Sequence, residues 1–324
     1  MDYKKTMLFA MPNVEDLGKK VSKDLGLKLS TIKTTIFADG EAILQAEETV
    51  RNKHVFVIAS LCTPVNDNIM QLLLFVDSLK RASASSITVV TSYFGYARQD
   101  RKAEGRQPIG AKVVAKILEA AGVTKVIATD LHNPSIQGFF DIPLDDLRAS
   151  FVLAERLTEH GEKFTIASPD HGGAVRARVL AELISDSMSI AIVDKRRTGP
   201  NKSETMGILG SVEDRNVVII DDMIDTGGTI IKAAKAIKEA GAKKIVIAAS
   251  HGLFSRGFDI FDEAEHVDKV LVTDSVPRVH SIKSKKLEVV SISEIIAKTL
   301  KATADSESIS IIYKELREKL KPSK

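Results

Sequence analysis

The segment Asn216–Ile230 reads NVVIIDDMIDTGGTI and decides the fold. A β-branched run leads directly into two adjacent carboxylates, Asp221 and Asp222, and then into Thr-Gly-Gly-Thr. A strand, a glycine turn and a following helix form the repeating unit of parallel α/β proteins. The same arrangement cradles anions, because backbone N–H groups converge at the helix N-terminus and carry partial positive charge. Two carboxylates would repel such an anion, so they must bind something else.

The chemistry of this loop suits a sugar phosphate. Gly227 and Gly228 permit close approach to a ligand. The hydroxyls of Thr226 and Thr229 can donate hydrogen bonds to phosphate oxygens, while the acidic pair can accept them from the vicinal hydroxyls of a ribose. The chain contains neither G-x-x-x-x-G-K-[ST] nor G-x-G-x-x-G, which excludes an ordinary P-loop. The alternative is a charged strand end in which Asp225 or Thr226 caps the next helix.

Short β-branched runs alternate with amphipathic stretches along most of the chain. We predict buried strands at 54–59, 87–91, 125–128, 164–168, 189–193, 217–221, 244–249 and 269–273. The stretch after Gly228 has apolar residues at helical spacing, and Gly241 supplies its C-terminal stop. This alternation predicts an α/β fold of mainly parallel sheets flanked by helices.

At 324 residues the chain is long enough for two domains. Polar or acidic residues follow predicted strands in both halves, as in TDLH, SPDHGG and DDMIDTGG. Such strand ends are where ligands bind in open α/β sheets. We place the boundary after DIPLDDL, which gives domains 1–148 and 149–324. The tail SISIIYKELREKLKPSK predicts a terminal helix, and the sequence does not decide which domain it packs against.

Composition narrows the class of protein. The net charge of +3 gives no reason to expect nucleic acid or a membrane surface as a partner. Cys62 is the only cysteine, so no internal disulfide is possible. The first twenty residues lack the apolar core of a secretory signal, and no window of about 18 apolar residues occurs. We therefore expect a cytoplasmic protein.

Two segments of the first half offer groups for a nucleotide. SYFGYARQDRK, 92–102, follows a predicted strand and concentrates arginine and lysine beside three aromatic residues. Arginine offers forked donors to phosphate and a flat face to a base. IFADGE, 36–41, supplies a phenylalanine and two carboxylates that could clasp a purine and its amino group. The alternatives are a solvated charged turn for the first segment and an ordinary Asp-Gly turn for the second.

The segment DLHNPSIQGFFDIPLDD, 130–146, predicts a cation site. Asp130 and His132 lie two residues apart at a strand end, so an extended backbone would point both side chains the same way. Oxygen ligands with one imidazole suit a divalent cation carried by a nucleotide, most plausibly Mg²⁺. Asp170 in SPDHGG is a further candidate ligand. The alternative for His132 is a structural hydrogen bond.

The segment VDKRRTGPNKSETMGILG, 193–210, predicts a mobile lid. It is long and polar, carries three consecutive basic residues and appears irregular in sequence. Three cations on a lid could close over a transferring diphosphoryl group. The alternative is a solvated basic loop.

Together these segments resemble the ribose-phosphate diphosphokinase family, also called phosphoribosyl pyrophosphate synthetases. VVIIDDMIDTGGT is similar to its phosphoribosyl-pyrophosphate signature, and five motifs follow the family's order between about Phe37 and Pro277. The resemblance implies two similar phosphoribosyltransferase-like domains, the first binding ATP and the second ribose 5-phosphate. It implies transfer of the diphosphoryl group of Mg-ATP to the anomeric hydroxyl of ribose 5-phosphate, with AMP leaving.

The resemblance also implies roles for individual residues. Catalysis falls to Lys195, with Arg197 assisting. ATP binding falls to Phe37, Asp39, Gly40, Glu41, Arg98, Gln99, Asp100 and Arg101. Ribose 5-phosphate binding falls to Arg197, Asp221, Asp222, Asp225, Thr226, Gly227, Gly228 and Thr229. Magnesium falls to His132 and Asp170, and in the family's older metal signature also to Asp130, Asp141 and Asp145. A homo-oligomer, commonly a hexamer, is implied as well.

Two departures from the family pattern bear on these roles. Asn133-Pro134-Ser135 replaces small residues after His132, and Pro134 removes a donor and stiffens the turn. Thr198-Gly199 stands where the family has a further arginine. The rival reading is a regulatory homologue without activity that assembles with true synthetases. A plain phosphoribosyltransferase is a weaker rival, because it does not need the ATP motifs.

Overall fold

The computed structural model describes residues 2, 4–159, 161–184, 189–197 and 204–320. For 195–197 and 204–206 the backbone alone is described. The described chain forms two compact units. The first runs as far as Arg148 and includes Ser275–Pro277 and Ile292–Ile312, while the second holds Ala149–Asp274, Arg278–Ser291 and the residues from Tyr313.

The first unit is built on a parallel sheet. Its strands are β1 (Thr6–Ala10), β2 (Ile32–Ile36), β3 (Ala42–Ala46), β4 (His54–Ser60), β5 (Ser86–Tyr93), β6 (Lys125–Thr129) and β7 (Leu144–Leu147). Its helices include α1 (Glu15–Leu25), α2 (Val65–Arg81) and α3 (Gly110–Ala121). Five strands pair in the order β1-β4-β5-β6-β7, all parallel, and β2 and β3 form a separate antiparallel hairpin.

The second unit is built on a larger, mixed sheet. Its strands are β8 (Phe164–Ser168), β9 (Ile190–Arg197), β10 (Glu204–Leu209), β11 (Asn216–Ile224), β12 (Lys244–Gly252), β13 (Lys269–Thr273) and β14 (Leu287–Val290). Its helices include α4 (Ser150–Glu159), α5 (Ala174–Ile184), α6 (Gly228–Glu239) and α7 (Asp259–Glu263). The order is β10-β9-β8-β11-β12-β13-β14, and each described pair is parallel except β9 with β10.

The central strands are β-branched and buried because each sheet is covered on both faces. The core of the second unit joins the inner residues of β11, β12 and β13 to the apolar stripe of α6, which includes Ala233, Ala234 and Ile237. Helix α6 ends as predicted, because Gly241 adopts a left-handed φ of 92° and its N–H bonds to the carbonyl of Lys238. In the first unit, Phe9 of β1 packs edge-on against Phe75 of α2.

The α/β class and all eight predicted strands are confirmed. The sequence missed β1, β2, β3, β7, β10 and β14.

The C-terminal region contains two helices. They are α8 (Ser293–Asp305) and α9 (Ser310–Leu320). Helix α8 lies in the first unit, where the hydroxyl of Ser293 donates to the Asp24 carboxylate of α1 at 2.6 Å. Part of the predicted second domain therefore belongs to the first unit. No helix in the described ranges is both long and apolar enough to cross a membrane.

Candidate active site

The acidic pair of the second unit lies at a reversal of strand order. Chain order runs from β8 to β9 on one side, and β11 then returns to pair with the other side of β8. Ligands of open α/β sheets bind at such switch points, outside the carboxyl ends of the strands. The pairing of β8 with β11 stops at Ile219, whereas β11 continues to Ile224 beside β12. Asp221 and Asp222 lie on this overhang.

An arginine that sequence reasoning missed holds both acids. Arg176 of α5 donates from Nη1 to Oδ1 of Asp221 at 3.0 Å, and its Nη2 lies 3.3 Å from Oδ1 of Asp222. Asp222 is 4% exposed, and its backbone N–H donates to Oδ1 of Asp221 at 2.9 Å. No local pattern marks Arg176, because it precedes Asp221 by 45 residues and contacts it through the tertiary fold.

The acidic pair remains short of positive charge. Burial, the hydrogen bond with Asp222 and the negative charge of Asp222 together raise the pKa of Asp221 to about 7, against the opposing effect of Arg176. Arg176 thus does not offset the combined effect of burial and the neighbouring carboxylate on the pKa of Asp221. The arrangement favours a ligand that brings hydrogen-bond donors or a cation.

The glycine loop is shaped by the packing behind it. Gly227 is the N-cap of α6 with φ of 82°, and a Cβ added there would lie 2.6 Å from Cζ of Phe261. A Cβ added to Gly228 would meet nothing within 4 Å. The alternative interpretation, in which Asp225 or Thr226 caps α6, is wrong, because the cap makes no side-chain hydrogen bond. Asp225 instead accepts a hydrogen bond from the hydroxyl of Ser255.

The remaining loop residues are open to ligand. Thr226 and Thr229 are both exposed, and they flank the first backbone N–H groups of α6. The first N–H groups of a helix have no intrahelical acceptor. The loop thus offers backbone donors and two hydroxyls on one side of an acidic pair.

Asp170 lies in the turn that follows β8. Its Oδ1 accepts from the N–H of Gly173 at 3.1 Å, and its carbonyl accepts from the hydroxyl of Ser168 at 2.6 Å. The next residue, His171, places Nε2 3.0 Å from Oδ1 of Asp194 on β9. Sequence reasoning missed this pair, which ties the Asp170 turn to the strand that carries the predicted catalytic lysine.

The predicted lid is partly a β-hairpin. Lys195 and Arg197 belong to β9, where their backbones pair with Met206 and Glu204 of β10. Their side chains, and the whole of Thr198 and Gly199, lie outside the described residues. The prediction of an irregular segment is therefore wrong for the two ends of 193–210. These ends form the strands β9 and β10, which pair in antiparallel register.

The predicted purine clasp occupies the tip of the β2–β3 hairpin. The N–H of Phe37 donates to the carbonyl of Glu41 at 2.8 Å, and the N–H of Glu41 donates to Oδ1 of Asp39 at 3.1 Å. Gly40 closes the turn with φ of 95°. Phe37 is 47% exposed, and both carboxylates are exposed as well. The tip therefore presents an aromatic ring and two acceptors to solvent.

The predicted donor patch follows β5 as a turn. Arg98, Gln99 and Arg101 are exposed and Asp100 is half-buried. The aromatic neighbours behave differently from the sequence expectation, since Tyr93 and Phe94 are buried and belong to the core. The remaining one, Tyr96, donates its hydroxyl to Oδ1 of Asn66 at 2.6 Å. The patch thus offers cations and amides, and two of its three aromatic rings are unavailable for stacking.

The turn after β6 carries the predicted imidazole. β6 ends at Thr129, and Asp130 has a left-handed φ of 41°. The argument that an extended backbone points Asp130 and His132 the same way is therefore wrong. His132 is exposed at this turn.

The departure at 133–135 is accommodated by a 3₁₀ turn, Pro134–Phe139. Asn133 is its N-cap and accepts from the N–H of Ser135 at 3.0 Å. Pro134 occupies the first position, where a missing N–H costs nothing.

The other acidic residues of this region have protein partners. Asp141 forms an exposed ion pair with Lys116, and Asp145 pairs with Lys125 at 2.7 Å. Asp146 accepts from the N–H of Leu131 at 3.0 Å. Burial, together with the negative charge of Asp130, raises the pKa of Asp146 to about 7, against the opposing effect of the hydrogen bond from Leu131. Among the described residues, no three of His, Cys, Asp and Glu gather as a metal site.

Comparison with known proteins assigns the chain to a family. A family model described as the N-terminal domain of ribose phosphate pyrophosphokinase matches residues 6–122, and one described as the phosphoribosyl synthetase-associated domain matches 144–314. The chain is 54% identical over 97% of its length to a curated ribose-phosphate pyrophosphokinase of Mycoplasmopsis pulmonis, covering 98% of that protein. It is 42% identical over 95% of its length to ribose-phosphate pyrophosphokinase 1 of Listeria monocytogenes, covering 97% of it.

A solved structure agrees. The crystal structure of phosphoribosylpyrophosphate synthetase from Mycobacterium smegmatis superposes with a TM-score of 0.86 at 35% identity, covering 93% of this chain and 99% of that one. The chain therefore belongs to the ribose-phosphate pyrophosphokinase family.

Proposed function

We propose that this chain transfers the diphosphoryl group of Mg-ATP to ribose 5-phosphate, giving phosphoribosyl pyrophosphate and AMP. The anomeric oxygen forms a bond to the β-phosphorus, the bond from that phosphorus to the α,β-bridging oxygen breaks, and the anomeric proton is released. The observation that carries the proposal is the acidic pair beside the glycine loop at the switch point of the second sheet, in a chain of this family.

The second unit supplies the groups for ribose 5-phosphate. Asp221 and Asp222 accept hydrogen bonds from the ribose hydroxyls, and their deficit of positive charge favours such donors. The 5-phosphate takes the backbone donors and hydroxyls of Asp225–Thr229 at the start of α6. Arg176 keeps the two carboxylates in place before the sugar arrives.

The first unit supplies the groups for ATP. Phe37 stacks near the base, and Asp39, Gly40 and Glu41 of the hairpin tip accept from its amino group. Arg98, Gln99 and Arg101 of the turn after β5 donate to the phosphates. Asp100 belongs to the same turn.

Magnesium fits the donor sets in each unit. His132 follows Asp130 in the first unit, and Asp170 lies in a turn of the second, so the available donors are carboxylate oxygens and one imidazole. Each set would hold an ion within its own unit, and an ion bound there would supply positive charge to the phosphate oxygens. Asp141 and Asp145 are weaker candidates because each has a lysine partner.

Lys195 is the proposed catalytic residue, and Arg197 assists it. Phosphoryl transfer needs positioning and charge neutralisation more than covalent participation. Both residues lie on β9, and the bond between His171 and Asp194 fixes that strand one residue before Lys195. A cationic side chain on a paired strand is positioned more precisely than one on a loop.

We also propose a homo-oligomer and a cytoplasmic location. The hairpin exposes Ile36, Phe37 and Ile43, and exposed apolar side chains clustered on one element are typical of an interaction surface. A single cysteine fits a reducing compartment.

The test is AMP formation from Mg-ATP with and without ribose 5-phosphate. We expect AMP only with the sugar, and Lys195→Ala should lower kcat by about 10²–10³ with a smaller change in KM, as loss of one transition-state cation does. If the wild type binds ATP yet forms no AMP at any phosphate concentration, the regulatory homologue is the correct reading.

A further inference from the structure

The side chain of Asn133 joins two turns that carry candidate ATP residues. Its Nδ2 donates to Oδ2 of Asp100 at 2.6 Å, and its Oδ1 accepts from the N–H of Ser135 at 3.0 Å. Asp100 belongs to the turn after β5, and Asn133 directly follows His132 in the turn after β6. The bond therefore spans 33 residues of chain between two turns.

Both the Nδ2 donor and the Oδ1 acceptor of the Asn133 amide are used. A backbone N–H can only donate and an ionised carboxylate can only accept, so the side chain between Ser135 and Asp100 needs one acceptor and one donor. Aspartate would offer an acceptor to Ser135 but would oppose Asp100 with a like charge. Alanine would offer neither group. A hydrogen bond to a carboxylate is also stronger than one between neutral groups.

Each turn is also anchored to a second element of the first unit. In the first turn the carbonyl of Gln99 accepts from the N–H of Ala111 in α3, and a Cβ on Gly110 would lie 2.6 Å from Oε1 of Gln99. In the second turn the N–H of Asp130 donates to the carbonyl of Leu147 in β7 at 2.8 Å. β5 and β6 pair in parallel, so their carboxyl ends, and hence the two turns, are neighbours.

We propose that Asn133 is a positioning residue for the nucleotide. Its amide fixes the turn of Arg98–Arg101 relative to the turn of His132, so that both act on one triphosphate. The inference rests on the proposed function for the identity of that nucleotide. It gives Asp100 the task of holding its turn, in place of direct contact with ATP.

The experiment compares Mg-ATP affinity and steady-state constants in a set of variants. Asn133→Ala should raise both the Kd and the KM for Mg-ATP about tenfold, the loss expected for one hydrogen bond to a charged group. The KM for ribose 5-phosphate should remain within about twofold, because no residue of the second unit is changed. Asn133→Asp should be at least as damaging, although it keeps the acceptor for Ser135.

The reciprocal exchange separates positioning from a general structural role. Asp100→Asn combined with Asn133→Asp restores one donor and one acceptor with reversed direction, so it should recover most of the ATP affinity that Asn133→Asp loses. Asn216→Ala is the matched control, since it removes another asparagine amide that donates to a carboxylate, that of Glu162, at the start of β11. Its ATP constants should equal those of the wild type.

Two results would overturn the proposal. One is an unchanged Kd for Mg-ATP in Asn133→Ala protein that still melts cooperatively. The other is an exchange variant that binds ATP no better than Asn133→Asp. Binding of Mg-ATP is measured without ribose 5-phosphate, and AMP formation by the wild type is measured separately. Failure of the proposed reaction can thus be distinguished from failure of this link.

Discussion

The two sheets share a topology of mainly parallel strands, but the two units differ in how their acidic side chains are paired. In the first unit three acids have separate partners: Asp141 has Lys116, Asp145 has Lys125 and Asp100 has Asn133. In the second unit Asp221 and Asp222 share one arginine.

Strand order accounts for the difference. The described sheet of the first unit follows chain order from β1 and β4 through β7, whereas the second reverses between β8 and β11. A reversal leaves an opening on the β8 side of β11, where the strand pairing stops at Ile219 before the two acids. The first unit therefore presents acids with separate partners, and the second presents an adjacent pair that shares one arginine on the overhang of β11.

The largest effect is expected from removing the arginine that Asp221 and Asp222 share. Arg176→Ala removes the guanidinium that contacts both carboxylates, so we expect kcat/KM for ribose 5-phosphate to fall about 10²-fold. Stability should fall by about 1–3 kcal/mol, as when a buried acceptor loses its donor. Arg176→Lys should recover only part of either loss, because lysine cannot reproduce the fork.

The control is Lys235→Ala, which removes an exposed cation that pairs with Glu239 on α6. Its rate and melting temperature should stay close to those of the wild type. If both substitutions lowered kcat/KM for ribose 5-phosphate equally, the predicted role of Arg176 in the site would be contradicted.

The next prediction separates fold from ligand within the glycine loop. Gly227→Ala meets Phe261 and a left-handed backbone, so it should destabilise the protein by about 1–3 kcal/mol. Gly228→Ala adds a methyl group to open space and should leave the melting temperature unchanged while raising the KM for ribose 5-phosphate. An unaltered KM in the second variant would contradict a phosphate at this loop.

The next prediction, with a smaller expected effect, concerns Asp146 and Asp221, the two carboxyl groups whose pKa is raised to about 7. The folded state keeps a proton that an ordinary aspartate loses near pH 4, so stability falls as pH rises from about 4 to about 7. Asp146→Asn keeps an acceptor for the N–H of Leu131 and cannot ionise. The melting temperature of this variant should therefore rise relative to that of the wild type as pH increases from 5 to 8. Asp221→Asn should gain less, because its charge also pairs with Arg176.

Thermal melting at pH 5, 6, 7 and 8 would check this prediction. A melting-temperature difference that stays constant across the series, or that shrinks toward pH 8, would contradict the raised pKa of Asp146.

The smallest effect concerns the first unit. Asp141→Asn removes one exposed ion pair, so its melting temperature should stay close to that of the wild type. If Asp141 is only a partner of Lys116, the Mg²⁺ dependence of the rate should be unchanged. A higher Mg²⁺ requirement would instead return Asp141 to the metal ligands.

The sequence pattern predicted those elements of the fold that depend on neighbouring residues alone. The eight strands with dense β-branched runs are present, as is the stop at Gly241. β7 was missed because two of its four residues are aspartates, which the neighbouring strand β6 nevertheless pairs. The lid was taken as irregular because the register of β9 with β10 depends on pairing between segments, which composition does not show.

The candidate site divides in the same way. Motif and resemblance identified Asp221, Asp222 and the glycine loop as ligand-binding residues. They could not identify Arg176 or the bond between His171 and Asp194, because those contacts exist only once α5 and β9 pack beside β11 and β8. The doubt raised by Pro134 also needed the structure, which places it at the first position of a 3₁₀ turn.

The ring of Phe261 behind Gly227 has an evolutionary consequence. Phe254, Phe258 and Phe261 pack with ring centroids 5.0–5.5 Å apart, so Phe261 has little room to withdraw. A side chain at position 227 therefore requires a smaller residue at 261 in the same step. The two positions should change together among related chains, although 34 residues of sequence separate them and only one belongs to the ligand loop.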